Sequence, residues 1–123
     1  MKKTIFNENE LQKEFQEYDR DYYSIFGYDA LLEFYDEIDE DMELDVIAIC
    51  GDCTEYGNFS SCDFQDLIND YDYIYTKEEY LSDNDIDEKD FNEDEYISEL
   101  INKLENKTDV LHLSNGDYII FSF

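Results

Sequence analysis

The stretch LDVIAICGDC, Leu44 to Cys53, is the least charged run in the chain and ends in a CxxC. Val46, Ile47 and Ile49 are β-branched and no apolar stripe of helical period runs through the segment, so the spacing predicts a strand over 44–50. Nearly every position is apolar, which places that strand at the centre of a sheet, covered on both faces. Working outward, the strongest turn signal lies in VLHLSNGDYIIFSF at the far end of the chain. Asn115-Gly116 there separates two strand-like runs, the favoured chemistry of a tight hairpin. Hairpin and central strand together predict an α+β fold, a small three-stranded, mainly antiparallel sheet covered by about four helices.

The helices are read from caps and periodicity. Asn7 with Glu10 three residues on forms a capping box, after which Leu11, Phe15 and Tyr18 recur on one face. Gly27 marks a break before YDALLEFYDEIDED, a second amphipathic helix with Leu31, Phe34, Tyr35 and Ile38 inward. SSCDFQDLINDY predicts a short helix capped at Ser60 or Ser61, with Phe64, Leu67 and Ile68 inward. Residues 76–94 read as an ordered acidic insert, opened by a Thr76–Glu79 cap and anchored by Tyr80, Leu81, Ile86 and Phe91. From Asn92 onward, Tyr96, Ile97, Leu100, Ile101 and Leu104 define the last helix.

A chain of 123 residues fits one domain, here 1–123. Its formal charge of −27, from 8 basic and 35 acidic residues, would by itself suggest disorder. The 42% hydrophobic content, with 12 Tyr, 9 Phe and no Pro, argues instead for a folded body with an abnormally acidic surface. No run approaches the roughly 20 apolar residues of a membrane span, and MKKTIFNENE lacks the apolar region of a secretory signal. Three cysteines, an odd number, fit a reducing compartment. The expectation is therefore a cytoplasmic protein with no membrane contact, in which the NKT at Asn106 is incidental. Direct nucleic-acid binding draws on Lys and Arg, so the favoured partners are basic proteins.

Several chemical sites can be weighed from residue types. Cys50-Gly51-Asp52-Cys53 has redox spacing, but a working dithiol wants a helix N-terminus or a cation beside it. Here Asp52 and Glu55 surround it, which should raise the thiol pKa. Cys50, Cys53, Cys62 and His112 are a possible zinc set, though only the CxxC half has the right spacing. Asp83, Asp85 and Asp87 occupy the first, third and fifth positions of a calcium loop, which then fails at Glu88 and at Asp94. With 35 acids, carboxylate pairs occur by number alone, and none is singled out. There is no Gly-rich phosphate loop and no HExxH, so neither an enzyme nor a cofactor is expected.

The acid itself is the signal. It is spread as 12 residues in 1–40, 11 in 41–82 and 12 in 83–123, which is a folded charged body and not an acidic tail. On the second helix Glu33, Asp36, Glu37 and Glu40 fall at i, i+3, i+4 and i+7, so their carboxylates rise about 4.5 to 6 Å apart along one face. Duplex DNA carries about one charge per 1.7 Å of axis, a scale close enough for carboxylates to stand in for phosphates against a basic groove. A small soluble domain needs a net charge of only about 2 to 8. The partner-binding residues expected on this reading are Glu33, Asp36, Glu37 and Glu40, with Asp83, Asp85, Asp87 and Asp94 of the insert. Two other readings stay open: a structural or chaperone-like acidic module that binds proteins without a nuclease target, and a structural metal-binding protein using Cys/His or acidic-loop ligands.

The stretches YDALLEFYDEIDEDMELDVIAICGDCTEY, FQDLINDYD and VLHLSNGDYIIFSF resemble small acidic proteins of phages and mobile elements, of the DNA-mimic anti-restriction or anti-CRISPR type. The residues that carry the resemblance are mostly scaffold: Asp45, Val46, Ile47, Ala48 and Ile49, then Glu55 and Tyr56, then Asn115, Gly116, Tyr118 and Ile119. It implies an inhibitor in the bacterial host cell that occludes the DNA-binding groove of a CRISPR effector or restriction nuclease. The acidic segment Asp83 to Asp94 departs from that pattern.

Overall fold

The computed structural model describes residues 7–38, 44–58, 60 and 62–123. In chain order these form α1 (Glu8–Glu17), α2 (Ile25–Ile38), α3 (Val46–Asp52), β1 (Cys53–Tyr56), α4 (Phe64–Tyr71), α5 (Lys77–Asn84), a 3-10 turn (Glu88–Asp90), α6 (Glu93–Glu105), β2 (Val110–His112) and β3 (Tyr118–Phe121). The strand order is β1-β3-β2, antiparallel throughout, so the fold is α+β as the hairpin and composition predict. Six α-helices are seen among the described residues, more than the four expected.

The central strand is β3. Successive side chains of a strand point to opposite faces, and here each face meets its own helical layer. Ile119 and Phe121 join Leu11, Phe15, Tyr28, Leu31, Val46 and Ile49 from α1, α2 and α3. Tyr118 and Ile120 join Leu67, Tyr80, Tyr96, Ile97, Leu100 and Leu104 from α4, α5 and α6. The sheet thus separates two apolar cores.

The strand expected over 44–50 is instead helix α3, and the strand role passes to Cys53–Tyr56, at an edge of the sheet. Asp45 decides this locally: its extended backbone and side chain cap the helix, accepting from the Ala48 amide at 3.0 Å. Val46 and Ile49, three residues apart, are both buried, while Ile47 between them is 57% exposed. Tertiary burial at helical spacing overrides the β propensity of the run.

Elsewhere the caps act as read or one element over. Asn7 accepts from the Glu10 amide at 2.9 Å, Thr76 from Glu79 at 3.1 Å, and Asn92 from Asp94 at 3.0 Å. Helix α4 is capped by Asp63 in a reciprocal box with Asp66, not by Ser60; Ser61 lies outside the described residues. Gly27 does not break the chain before α2. It lies in the first turn, where an added Cβ would collide with Glu55 Oε1. Tyr18 and Ile38, expected inward, are exposed because each ends its helix beyond the last buried turn. The β2–β3 connection is longer than a two-residue turn, with Gly116 at φ +91°.

Because a Cβ at Gly51 would meet nothing within 4 Å, Gly51→Ala should stabilise the protein by about 0.5 kcal/mol if 46–52 is helical. Asp45→Ala should cost about 1 kcal/mol through the lost cap. Urea denaturation of both variants checks the pair, and an unchanged stability for Asp45→Ala would contradict the helix, since a strand has no cap to lose.

Candidate partner-binding surface

The two acidic clusters expected to bind a partner lie on opposite faces of the sheet. Glu33, Asp36 and Glu37 are on α2, in the α1–α3 layer, with Glu33 and Glu37 exposed and Asp36 half-buried and bonded. Glu40 lies outside the described residues. Asp83, Asp85, Asp87 and Asp94 are all exposed in the α4–α6 layer. Asp83 belongs to the last turn of α5, Asp85 is its left-handed cap at φ 52°, and Asp87 precedes the 3-10 turn. The calcium-like spacing is thus laid over a helix end and not along one wrapping loop. Asp87 has an exposed Lys89 at 4.0 Å, and Lys77 reaches Glu88 at 3.4 Å, contacts of little energetic weight in solvent.

What the sequence reading missed is how the carboxylates are held. Tyr75 donates its hydroxyl to Asp83 Oδ2 at 3.0 Å and lies 3.2 Å from Glu99 Oε2. Tyr80 donates to Glu95 Oε2 at 3.1 Å and Tyr56 to Asp70 Oδ2 at 2.8 Å. In the other layer Tyr28 donates to Asp21 Oδ1 at 2.6 Å. Each of these rings is buried, so the phenol tip reaches the surface from a fixed root. Burial first, and the acceptor carboxylate second, raise the pKa of Tyr28, Tyr56, Tyr75 and Tyr80, which keeps every one of them a donor. Asp94, Glu95, Ser98 and Glu99 line a shallow depression on α6 beside this array. The available signal was the count of 12 Tyr beside no Trp, but the pairings span long sequence distances.

Cys50 and Cys53 are free thiols packed among apolar groups. Cys53 is buried, with its Sγ 3.4 Å from the Ile49 carbonyl and 3.3 Å from the Tyr23 hydroxyl. Burial pushes its thiol up to about 12, and burial likewise raises Cys50, against the nearby Arg20. The direction matches the expectation, but desolvation and not the surrounding acid is its main cause. His112 sits on β2 with Nε2 2.6 Å from Glu105 Oε1. Among the described residues no group of three or more His, Cys, Asp or Glu is placed to hold a metal ion, and no helix is long and apolar enough to cross a membrane.

One carboxylate pair is singled out after all. Glu55 and Asp117 are 1% and 2% exposed, and both contact the Ser60 hydroxyl.

Compared with known proteins, the chain matches no family model, no curated protein and no solved structure.

A thiol reacts as its thiolate. At pH 8, Cys53 should therefore be alkylated by iodoacetamide at least about tenfold more slowly in the folded protein than in urea, where its pKa returns to about 8.5. Mass spectrometry of timed digests reads this directly; equal rates would show that the thiol is neither buried nor shifted.

Proposed function

We propose that the chain is a DNA-mimicking protein inhibitor that occludes the basic DNA-binding groove of a CRISPR effector or restriction nuclease, acting in the bacterial cytoplasm without catalysis. The observation that carries this reading is the set of surface carboxylates held by hydroxyls of buried tyrosines: Asp83 by Tyr75, with Glu99 beside it, and Glu95 by Tyr80. A polyanion that serves only solubility has no use for fixed acids, whereas a phosphate mimic must present them at set positions. Side chains already ordered before binding lose less entropy when they meet fixed Lys or Arg groups.

The α5–α6 face is the favoured docking surface, centred on Asp83, Asp94, Glu95 and Glu99. The α2 row of Glu33, Asp36 and Glu37 lies behind the sheet from it, so one groove engages one row. Charge steering should make association fast and salt-sensitive, because the attraction acts mainly before contact and is screened beyond about 10 Å at 0.1 M salt.

The test is capture of a specific nuclease from a lysate containing defence complexes, followed by competition with its cognate duplex. Displacement by that duplex supports occlusion; simultaneous binding of DNA and the protein at one target contradicts it. Loose binding to many basic proteins, without preference, would favour the chaperone-like acidic module.

Changing Asp83, Asp85, Asp87 and Asp94 together to the matching amides should leave the protein folded. Affinity should fall about tenfold or more, which is about 1.4 kcal/mol, with a shallower salt dependence. The control neutralises four acids elsewhere, Glu14, Glu17, Asp29 and Asp109. Asp21 is unsuitable for that purpose because Tyr28 bonds it. Equal losses in both variants would make the surface a diffuse polyanion.

A further inference from the structure

The buried carboxylates Glu55 and Asp117 tie together three separated parts of the chain. Glu55 Oε1 accepts from the Ser24 amide at 3.1 Å, at the start of α2. Its Oε2 contacts Ser60 Oγ, which also lies 3.3 Å from Asp117 Oδ2. Asp117 Oδ1 accepts from the Asn58 amide and Oδ2 from Asn115 Nδ2, each at 3.2 Å. Glycines make room for both acids: a Cβ at Gly27 would collide with Glu55, and one at Gly57, with φ +151°, would collide with Asp117.

Hydrogen counting decides the protonation of this group. The Ser60 hydroxyl has one proton but touches two carboxyl groups, and a serine oxygen between two ionised carboxylates can satisfy only one of them. Both contacts are hydrogen bonds only if a second proton is present. Asp117 takes an N–H donor on each oxygen, whereas Glu55 takes the Ser24 amide on Oε1 and no N–H on Oε2, which is the oxygen left to carry the extra proton. The chain then runs from Glu55 Oε2–H to Ser60 Oγ, and from Ser60 Oγ–H to Asp117 Oδ2.

We propose that Glu55, Ser60 and Asp117 form a latch holding one shared proton, and that loss of this proton loosens the start of α2, the residues after β1 and the β2–β3 turn from one another. The groups facing Glu55 leave it little alternative. From the β2–β3 turn it meets Asp117; from the approach to α2, Ser24; along its own strand, the Cys53 thiol. Burial first, and Asp117 in addition, raise the Glu55 pKa, against the hydrogen bonds that Ser60 and Ser24 would give its ionised form. Cys53 is itself raised by burial and stays neutral.

The direction of the pH dependence follows. Above the ordinary glutamate value of about 4.3, the unfolded chain gives up this proton while the folded chain keeps it. The latch's contribution is therefore complete below that value and is lost as pH rises to the raised Glu55 midpoint.

Carbon-13 NMR of the side-chain carboxyls in the wild-type protein, from about pH 4 to about pH 9, tests this, with Glu55 assigned by comparison with Glu55→Gln. Glu55 should titrate after the exposed glutamates in the same spectrum, and exchange of the Ser24 and Asn58 amides should quicken as it does. Melting temperatures should fall with pH more steeply for the wild type than for Glu55→Gln, which carries a permanent donor, while a Glu33→Gln control keeps the wild-type slope. Titration of Glu55 together with the exposed acids would overturn the latch, as would parallel slopes for wild type and Glu55→Gln. Should Glu55→Gln not fold, sequential assignment of the wild-type side-chain carboxyls from their backbone amides identifies Glu55 and the wild-type titration decides alone.

Discussion

Burial of β3 from both sides is the constraint on which the rest of the molecule depends. Tyr118–Phe121 has only four residues, yet its alternating side chains enter two separate cores. Neither helical layer has another apolar sheet face to cover. The hairpin that delivers this strand to the centre, between β1 and β2, therefore sets where all six described helices can pack. It also determines that acids on α2 and acids on α5 and α6 look outward in opposite directions.

A second constraint is charge. A fold carrying −27 must expose its acids or neutralise them, since an unpaired buried charge is costly. Both solutions are present. Tyrosines rooted in the cores reach out to surface carboxylates, which fills the interior with aromatic area while tying the charges to it. Phe15, Tyr23 and Tyr28 pack edge to face in one layer, and Tyr80, Phe91 and Tyr96 form a similar cluster in the other. Among the described residues the exception to exposure is the Glu55–Ser60–Asp117 group, where glycine-lined space and hydrogen bonds accommodate two buried acids.

Much of this was legible in the chain itself. Helix α6 announces itself through five apolar residues on one stripe and an Asn92 cap, and all five are buried. The hairpin follows from Asn115-Gly116, and α5 from Thr76 with Glu79. The run 44–50 misleads because seven residues are too few for periodicity to separate a buried strand from a short helix; the Asp45 cap was the better guide. Gly27 reads as a break because a sequence cannot display the Glu55 side chain that needs the space. The Tyr–carboxylate bonds and the placement of the two acidic rows on opposite layers are tertiary facts, with partners up to 24 residues apart, and no local pattern encodes them.

The central claim is that position, and not quantity, of charge makes this surface a phosphate mimic. Replacing Tyr75 and Tyr80 by Phe removes two hydroxyls, keeps all 35 acids, and releases Asp83 and Glu95 from their fixed geometry. The direct measurement is the Kd of this double variant for the nuclease captured by the wild-type protein, with circular dichroism to show that both are folded. The account predicts a loss of about tenfold or more, about 1.4 kcal/mol, at unchanged net charge. An unchanged Kd in a folded variant would contradict it.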